Sequence, residues 1–282
     1  MLQGKTVFIT GGAKGIGLGI ARACAERGAF LALADTDEKS LESAKLSLGA
    51  VTEVRTYALD VTDRKAFLDV AVEVEGDLGP VTAVFNNAGI IDSVAPAAMR
   101  GEVWDWMVNV NLNGVYNGIQ AFVPRMIERG EGGYIANTSS VSGLIAAGSG
   151  FAYHATKYAV VGLSESLRIE LARHRISVSV VCPGQVATDI VQNVRSSRPA
   201  DAEQHSSKVT AILDSAHQAL QDNGVSIDDA GESIAEGVFA GQPYVFTDGN
   251  PFYPALIEQR TAQILECFPK SDAVAITSIS GM

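Results

Sequence analysis

Tyr153 and Lys157 stand four residues apart in Tyr153-His154-Ala155-Thr156-Lys157, a spacing that sets both side chains on one helix face, one turn apart. A phenol with its ordinary pKa of about 10 is no base at neutral pH. An ammonium beside it favours the phenolate and should draw that pKa down. Such a pair can take a proton from a hydroxyl or return one to a carbonyl. Ser140 ends the strand-like run Tyr134-Ile135-Ala136-Asn137-Thr138-Ser139-Ser140, which brings a second hydroxyl to the same sheet edge. Alternation along that run sends Ser139 to the opposite face. Tyr-x-x-x-Lys alone is common and usually an ordinary helix-surface pair, so its chemistry depends on its surroundings. His154 points elsewhere on the helix and is not read as the base.

A second constellation lies at the N-terminal end. Thr10-Gly11-Gly12-Ala13-Lys14-Gly15-Ile16-Gly17 joins a strand-like run to a helical one. Glycines there let the backbone turn tightly and approach a pyrophosphate, whose charge a helix N-terminus favours. The next strand ends at Asp35, near the ~20 residues downstream at which a carboxylate accepts hydrogen bonds from an adenosine ribose. The plainer role for Asp35 or Asp37 is to cap the following helix. A carboxylate at Asp35 repels a 2′-phosphate, whereas the flexible Lys14 is easily left in solvent, so NAD is expected rather than NADP.

The elements that must position these groups alternate regularly. Strands are expected at Thr6–Thr10, Phe30–Ala34, Val54–Leu59, Ala83–Phe85, Tyr134–Ala136, Ser177–Val181 and Tyr244–Phe246. Helices are expected at Gly15–Gly28, Glu38–Leu48, Asp63–Leu78, Val103–Arg129 in two pieces, and Tyr153–His174. Continuous apolar strands alternating with helices predict an α/β fold, a doubly wound parallel sheet (Rossmann) of about seven strands with helices on both faces. The 282 residues read as a single dinucleotide-binding and catalytic domain over 1–282. A helical insertion at about 189–241 is expected to cover the substrate as a lid, and about 251–282 to form a C-terminal extension.

Charge and cysteine content exclude several classes. Lys and Arg number 21 against 32 Asp and Glu, a net charge of −11, which argues against nucleic acid as a partner. Three cysteines in no CxxC or metal-ligand spacing predict neither a disulfide framework nor a metal site, and a reducing, cytoplasmic location. The N-terminal residues carry no signal-peptide pattern. The stretch without Asp, Glu, Lys or Arg, Gly132–Thr156, is too rich in Gly, Ser, Asn and Thr to be a membrane span.

On these motifs the sequence resembles the short-chain dehydrogenase/reductase family of non-extended type, closely from Gly4 to Thr188 and loosely beyond. The glycine motif matches at Thr10, Gly11, Gly15 and Gly17, with Ile16 between the last two. Asp60-Val61 match the pair that contacts adenine, and Asn87-Ala88-Gly89 the motif after the fourth strand. Asn111 in Val110-Asn111-Leu112-Asn113-Gly114 matches the catalytic asparagine and completes a tetrad with Ser140, Tyr153 and Lys157. Pro183-Gly184, Val186 and Thr188 match the segment that holds the nicotinamide carboxamide. Lys14 falls where NADP-preferring relatives often carry a basic residue. The resemblance implies that Tyr153 is the general base or acid and that Ser140 orients the reacting oxygen. It also implies that Lys157 binds the nicotinamide ribose, and that Asn111 holds a water in a proton relay.

The residues expected around the reacting carbon are mostly apolar and none is basic. They are Val141 to Ala146 after Ser140, Ile90 and Ile91 after Gly89, and Gln185 and Val186 after Gly184. Such a pocket suits a small-molecule secondary alcohol or ketone of hydrophobic or aromatic kind. Trp104, Trp106 and Met107 read as core or subunit-contact residues. Past Tyr244–Phe246, family members often end after Asp-Gly-Gly, whereas here a helix over Tyr253–Cys267 and a weak tail follow. This departure resembles the bacterial Cα-dehydrogenases that oxidise benzylic alcohols of lignin-type aryl ethers. It also puts the common tetramer in doubt, leaving a homo-oligomer, dimer or tetramer, as the expectation. The alternatives are a 3-oxoacyl or steroid-type carbonyl reductase and, as a non-enzyme, an NAD-binding regulatory protein.

Overall fold

A computed structural model describes residues 2–148, 150–199, 202 and 207–269, save the side chains of 195–197 and 208. The apolar runs form β1 (Thr6–Thr10), β2 (Phe30–Asp35), β3 (Val54–Ala58), β4 (Val81–Asn86), β5 (Gly133–Thr138), β6 (Ile176–Cys182) and β7 (Tyr244–Phe246). They pair in parallel in one seven-stranded sheet of order β3-β2-β1-β4-β5-β6-β7. The order reverses between β1 and β4, so the loops leaving those two strands part and open a crevice at their carboxyl ends.

Helices cover both faces at the middle of the sheet, where β1, β2 and β4 are buried along most of their length. Val7, Ile9, Leu31, Leu33 and Phe85 point to one face. There they meet α1 (Gly15–Glu26), α2 (Glu38–Leu48) and α9 (Ile227–Phe239). Phe8, Ala32 and Val84 point to the other, against α3 (Arg64–Leu78) and α5 (Gly114–Arg129). Phe8, Phe67 and Phe122 interlock there, Phe8 lying 4.8 Å from Phe122 and 5.8 Å from Phe67 between centroids. Asp37 caps α2 by accepting from Ser40 N, and Asp63 caps α3 by accepting from Ala66 N, which fixes where each helix starts.

The helix expected in two pieces before β5 is α4 (Gly101–Val108) and α5, joined by a π-helical turn at Asn109–Asn113. The helix that carries Tyr153 and Lys157 is α6 (Phe151–Leu171). After β6 come α7 (Ile190–Ser197) and α8 (Ser207–Asn223). Their excursion is clipped at its neck: Ala187 N donates to Val225 O, and Val225 N donates to Gln185 O. The helix that follows departs from expectation. The proposed covering segment ran to about residue 241, yet α9 belongs to the layer beside α1. A Cβ on Gly231 would lie 2.1 Å from Gly19 C, so the two backbones touch where neither residue has a side chain. The ion pairs Arg22–Asp228 and Arg27–Glu232 flank that contact.

The chain divides into a compact unit from Met1 to Gly249 and a second from Asn250. The second carries α10 (Phe252–Glu266), none of whose residues is buried. Residues 200, 201 and 203–206 of the expected covering segment, and the tail from 270, lie outside the described residues. Among the described residues no helix is long and apolar enough to cross a membrane.

Candidate active site

At the crevice, the turn after β1 is bare backbone. Gly11 and Gly15 have φ of 63° and 55°, in the left-handed region that glycine enters without strain. A Cβ on Gly17 would lie 2.0 Å from Gly11 O, so α1 starts hard against the turn. No side chain caps α1 at Lys14, which leaves its first amides pointing into the crevice. Ile16 is half-buried and packs inward against the core. Thr10 Oγ1 accepts from Asn87 N at 2.9 Å and Ala88 N at 3.0 Å, while Asn87 Nδ2 donates to Thr10 O at 3.1 Å. These bonds lock the loop after β4 to the glycine turn.

Asp35 closes one side of the turn. Its Oδ2 accepts from Ala13 N at 3.3 Å and its Oδ1 from Asp37 N at 3.1 Å, so the carboxylate is fixed at the tip of β2. Lys14, beside it, is held by a different carboxylate. Its Nζ pairs with Asp37 Oδ2 at 3.0 Å, and this bond, after that from Ser40 N, holds the Asp37 carboxyl down at about 2. Asp60 sits exposed beyond β3, accepting from Thr62 N at 2.9 Å. Val61 is buried beneath Gly114, and its carbonyl accepts from Asn117 Nδ2 at 2.8 Å. On the opposite side, a Cβ on Gly15 would lie 3.5 Å from Thr188 Cγ2, which brings the segment after β6 over the turn. Gly184 N donates to Thr247 Oγ1 at 3.2 Å. Val186 turns its side chain inward, 3 % exposed, and would offer a ligand only its backbone.

The four residues of the expected tetrad converge at the ends of β4 and β5. Lys157 is buried, and its Nζ donates to Thr138 O at 2.9 Å. It lies 5.5 Å from the centroid of the Tyr153 ring. Ser140 Oγ accepts from Ser142 N at 3.1 Å, and burial of the phenol pushes Tyr153 up to about 12 while its bond to Ser140 pulls the other way. The lowering expected from Lys157 is therefore not what the protein's own groups produce. Burial draws Lys157 itself down to about 8, with Cys182 opposing. Ser139, as alternation required, turns away and donates to Lys157 O at 2.8 Å.

Asn111 is fully buried in the π-helical turn, a form of helix frequent at functional sites. Its Oδ1 accepts from Ile90 N at 2.8 Å, and its Nδ2 donates to Ile90 O at 2.9 Å and Thr156 Oγ1 at 3.2 Å. The side chain expected to hold a water is thus engaged with protein at both ends. A Cβ on Gly89 would lie 3.3 Å from Asn111 Oδ1 and 3.4 Å from Lys157 Nζ, so the loop passes close against both side chains.

Lys157 also yields a stability test. Its pKa falls from 10.5 to about 8 on folding, so between those values the unfolded chain binds a proton that the folded chain has lost. Stability therefore rises with pH through that window, and below pH 8 the native state carries the full penalty of a buried ammonium. At ~1.36 kcal/mol per pKa unit this is about 3 kcal/mol, from which the lost hydrogen bond to Thr138 must be subtracted in a Lys157→Met variant. Thermal melts should show the variant gaining on the wild type at pH 6.5 and losing that advantage by pH 10. A gap that does not change with pH would mean that Lys157 is not titrating as its burial dictates.

Tyr153 also opens onto an apolar cluster with Ile90, Val94, Met99, Trp106, Met107 and Ala202. Met107 is core, as its sequence suggested. Trp106, half-buried, packs against the same cluster, and Trp104 stacks on Phe151 at 6.2 Å between centroids. The buried Asp92, two residues past Ile90, pairs through Oδ2 with Arg198 Nε at 3.1 Å and so ties the chain after α7 to the loop after β4. Sequence reasoning missed this pair, because it depends on packing between distant segments.

Comparison with known proteins gives the family. Residues 5–199 match the family described as short chain dehydrogenase. A 3beta-hydroxysteroid dehydrogenase 2 from Eggerthella lenta is 39% identical over 200 residues, 69% of this chain and 76% of that protein. A C alpha-dehydrogenase from a Sphingobium species is 33% identical over 249 residues, 86% of this chain and 80% of that protein. A short chain dehydrogenase/reductase from Burkholderia phymatum, solved in complex with NAD, superposes with a TM-score of 0.89 at 28% identity, covering 98% of this chain and 99% of that one. With its seven-stranded parallel sheet, its bare glycine turn and a family match over most of its length, the chain belongs to the short chain dehydrogenase family.

Proposed function

We propose that this oxidoreductase moves a hydride between NAD(H) and a hydrophobic secondary alcohol or its ketone, with an aryl substrate oxidised at the benzylic carbon as the leading case. The observation that carries this reading is the setting of the Tyr153 phenol. It meets Ser140 on one side, lies over Lys157 on another, and packs against an apolar cluster with Ile90, Val94, Met99 and Trp106.

The residues present fit a dinucleotide. Gly11 and Gly17 leave a cradle that a Cβ would fill, and the uncapped first turn of α1 offers amides to a pyrophosphate. Gly15 and Ile16 would lend those amides, Asp35 would hold the adenosine ribose, and Asp60 and Val61 would flank the adenine. Asn87, Ala88 and Gly89 would line the middle of the cofactor, and Tyr153 and Lys157 its second ribose. Pro183, Gly184, Val186 and Thr188 would hold the carboxamide. When bound, NAD supplies the acceptor for the hydride.

The chain's own residues do the rest. Tyr153 takes the hydroxyl proton as the carbinol C–H bond breaks, and returns it to the carbonyl oxygen in reverse. Ser140 donates to the same oxygen and holds it beside the phenol, and its bond to the phenol opposes the rise that burial imposes on Tyr153. Asn111 braces the loop at Ile90 and, through Thr156, the helix of Tyr153.

The Eggerthella lenta relative favours a second reading, a steroid or other alicyclic alcohol, which the same cluster would pack against. NADH formation with a panel of benzylic, alicyclic, steroid and 3-hydroxyacyl alcohols tests both. An aryl secondary alcohol is expected to give the highest kcat/KM. A best substrate among the steroids moves the reading to the second, and no NADH from any neutral hydrophobic alcohol overturns both.

A further inference from the structure

Ser140 opens the loop that runs to Gly150, and the first half of that loop is tied by its own backbone. Gly143 N donates to Ser140 O, and Leu144 N and Ile145 N both donate to Val141 O. Beyond Ile145, Ala147 N donates at 3.3 Å to Nε2 of His154, on the helix turn that carries Tyr153. The other ring nitrogen, Nδ1, lies 2.9 Å from Ser142 O. An amide can only donate and a carbonyl can only accept, so Nε2 must offer its lone pair and Nδ1 must carry the proton. The two bonds form together only in the Nδ1–H tautomer, in which the ring bridges two points of one loop.

Ser142 passes this constraint on. Its carbonyl accepts from His154 while its own N–H donates to Ser140 Oγ at 3.1 Å. That bond occupies a lone pair of the serine oxygen, and its proton, which is donated to Pro183 O at 3.4 Å, would pass to a reacting oxygen. We propose that His154 is a positioning residue for this reaction: through Ser142 it sets the direction of the Ser140 hydroxyl, and through Ala147 it sets the far half of the substrate-side loop. The inference rests on the proposed function for the role of Ser140 and the loop, and on the hydrogen bonds alone for the clamp.

Three substitutions separate the two arms. His154→Phe keeps a ring and removes both bonds. His154→Asn keeps an amide at the position of Nδ1, able to donate to Ser142 O. His154→Gln reaches to the position of Nε2 and can accept from Ala147. At roughly one net hydrogen bond per arm, His154→Phe should lower kcat and raise KM for the alcohol by about tenfold each, with KM for NAD within twofold. His154→Asn should recover kcat and leave KM high; His154→Gln should do the reverse. A general loss of folding would move kcat, both KM values and the melting temperature together, and would not split between Asn and Gln.

Amide hydrogen exchange of Ala147, measured on the protein without any alcohol, supplies an independent reading. It should quicken in His154→Phe and His154→Asn and stay slow in His154→Gln. Unchanged exchange in His154→Phe overturns the clamp. Altered exchange with no split in kinetics overturns the positioning role. If the wild type oxidises no alcohol, the proposed function fails, and the exchange result still decides the clamp.

Discussion

Tyr153→Phe is expected to lower turnover by about 10³-fold, within the range usual for loss of a general acid or base, while NAD affinity stays within a few-fold. The substitution removes one oxygen. The ring remains in the cluster with Ile90, Val94, Met99 and Trp106, so the pocket keeps its shape. No neighbour can take over the proton. Both nitrogens of His154 are committed to Ser142 and Ala147, and the hydroxyl of Ser140, without a base beside it, is far too weak an acceptor. Lys157 is drawn down to about 8 and could accept a proton at high pH, but its Nζ is held on Thr138 O beneath the phenol. The decisive measurements are single-turnover NADH formation with the best alcohol of the panel and a separate NAD titration. Near-normal turnover in Tyr153→Phe would falsify the assignment of Tyr153, and a parallel loss of NAD binding would show that the phenol serves the cofactor rather than the proton.

What the sequence disclosed and what it withheld divide along a physical line. Strand Thr6–Thr10 and helix Glu38–Leu48 were legible residue for residue, because apolar runs and an Asp37 cap are local signals. The convergence of Ser140, Tyr153 and Lys157 was also legible, since a four-residue spacing on a helix and a strand end next to it already imply proximity. The departures come from pairings between distant parts of the chain. Lys14 meets Asp37 twenty-three residues on, and Asp92 meets Arg198 from the far side of β5 and β6 in the chain. α9 settles beside α1 because Gly19 and Gly231 let two backbones touch, and neither glycine announces its partner. The same holds for the Tyr153 proton. A neighbouring ammonium suggested a lowered pKa, but burial acts on both groups, raising the phenol and lowering the amine. The π-helical turn at Asn109–Asn113 left no mark in composition, yet it puts Asn111 where its amide can hold Ile90 from both sides.

Wild-type enzyme should use NAD with a kcat/KM at least about 10²-fold above that for NADP, because a 2′-phosphate would approach a carboxylate that cannot turn away. Asp35 is held by Ala13 N and Asp37 N, and Lys14 beside it is already paired with Asp37. The Asp37 carboxyl, held down at about 2, remains charged at any working pH and keeps that lysine engaged. Removing charge and removing the acceptor must be separated. Asp35→Asn leaves an oxygen for the Ala13 or Asp37 amide and so preserves the turn, whereas Asp35→Ala leaves both without it. If repulsion is the cause, Asp35→Asn should raise kcat/KM for NADP by about tenfold or more, and adding Asp37→Asn should raise it further by releasing Lys14 toward the phosphate. If geometry were the cause, Asp35→Asn would leave the preference intact and Asp35→Ala would weaken both cofactors alike. Comparable efficiency with NADP in the wild type would end the argument from Asp35, and would mean that Lys14 leaves Asp37 more readily than a 3.0 Å ion pair suggests.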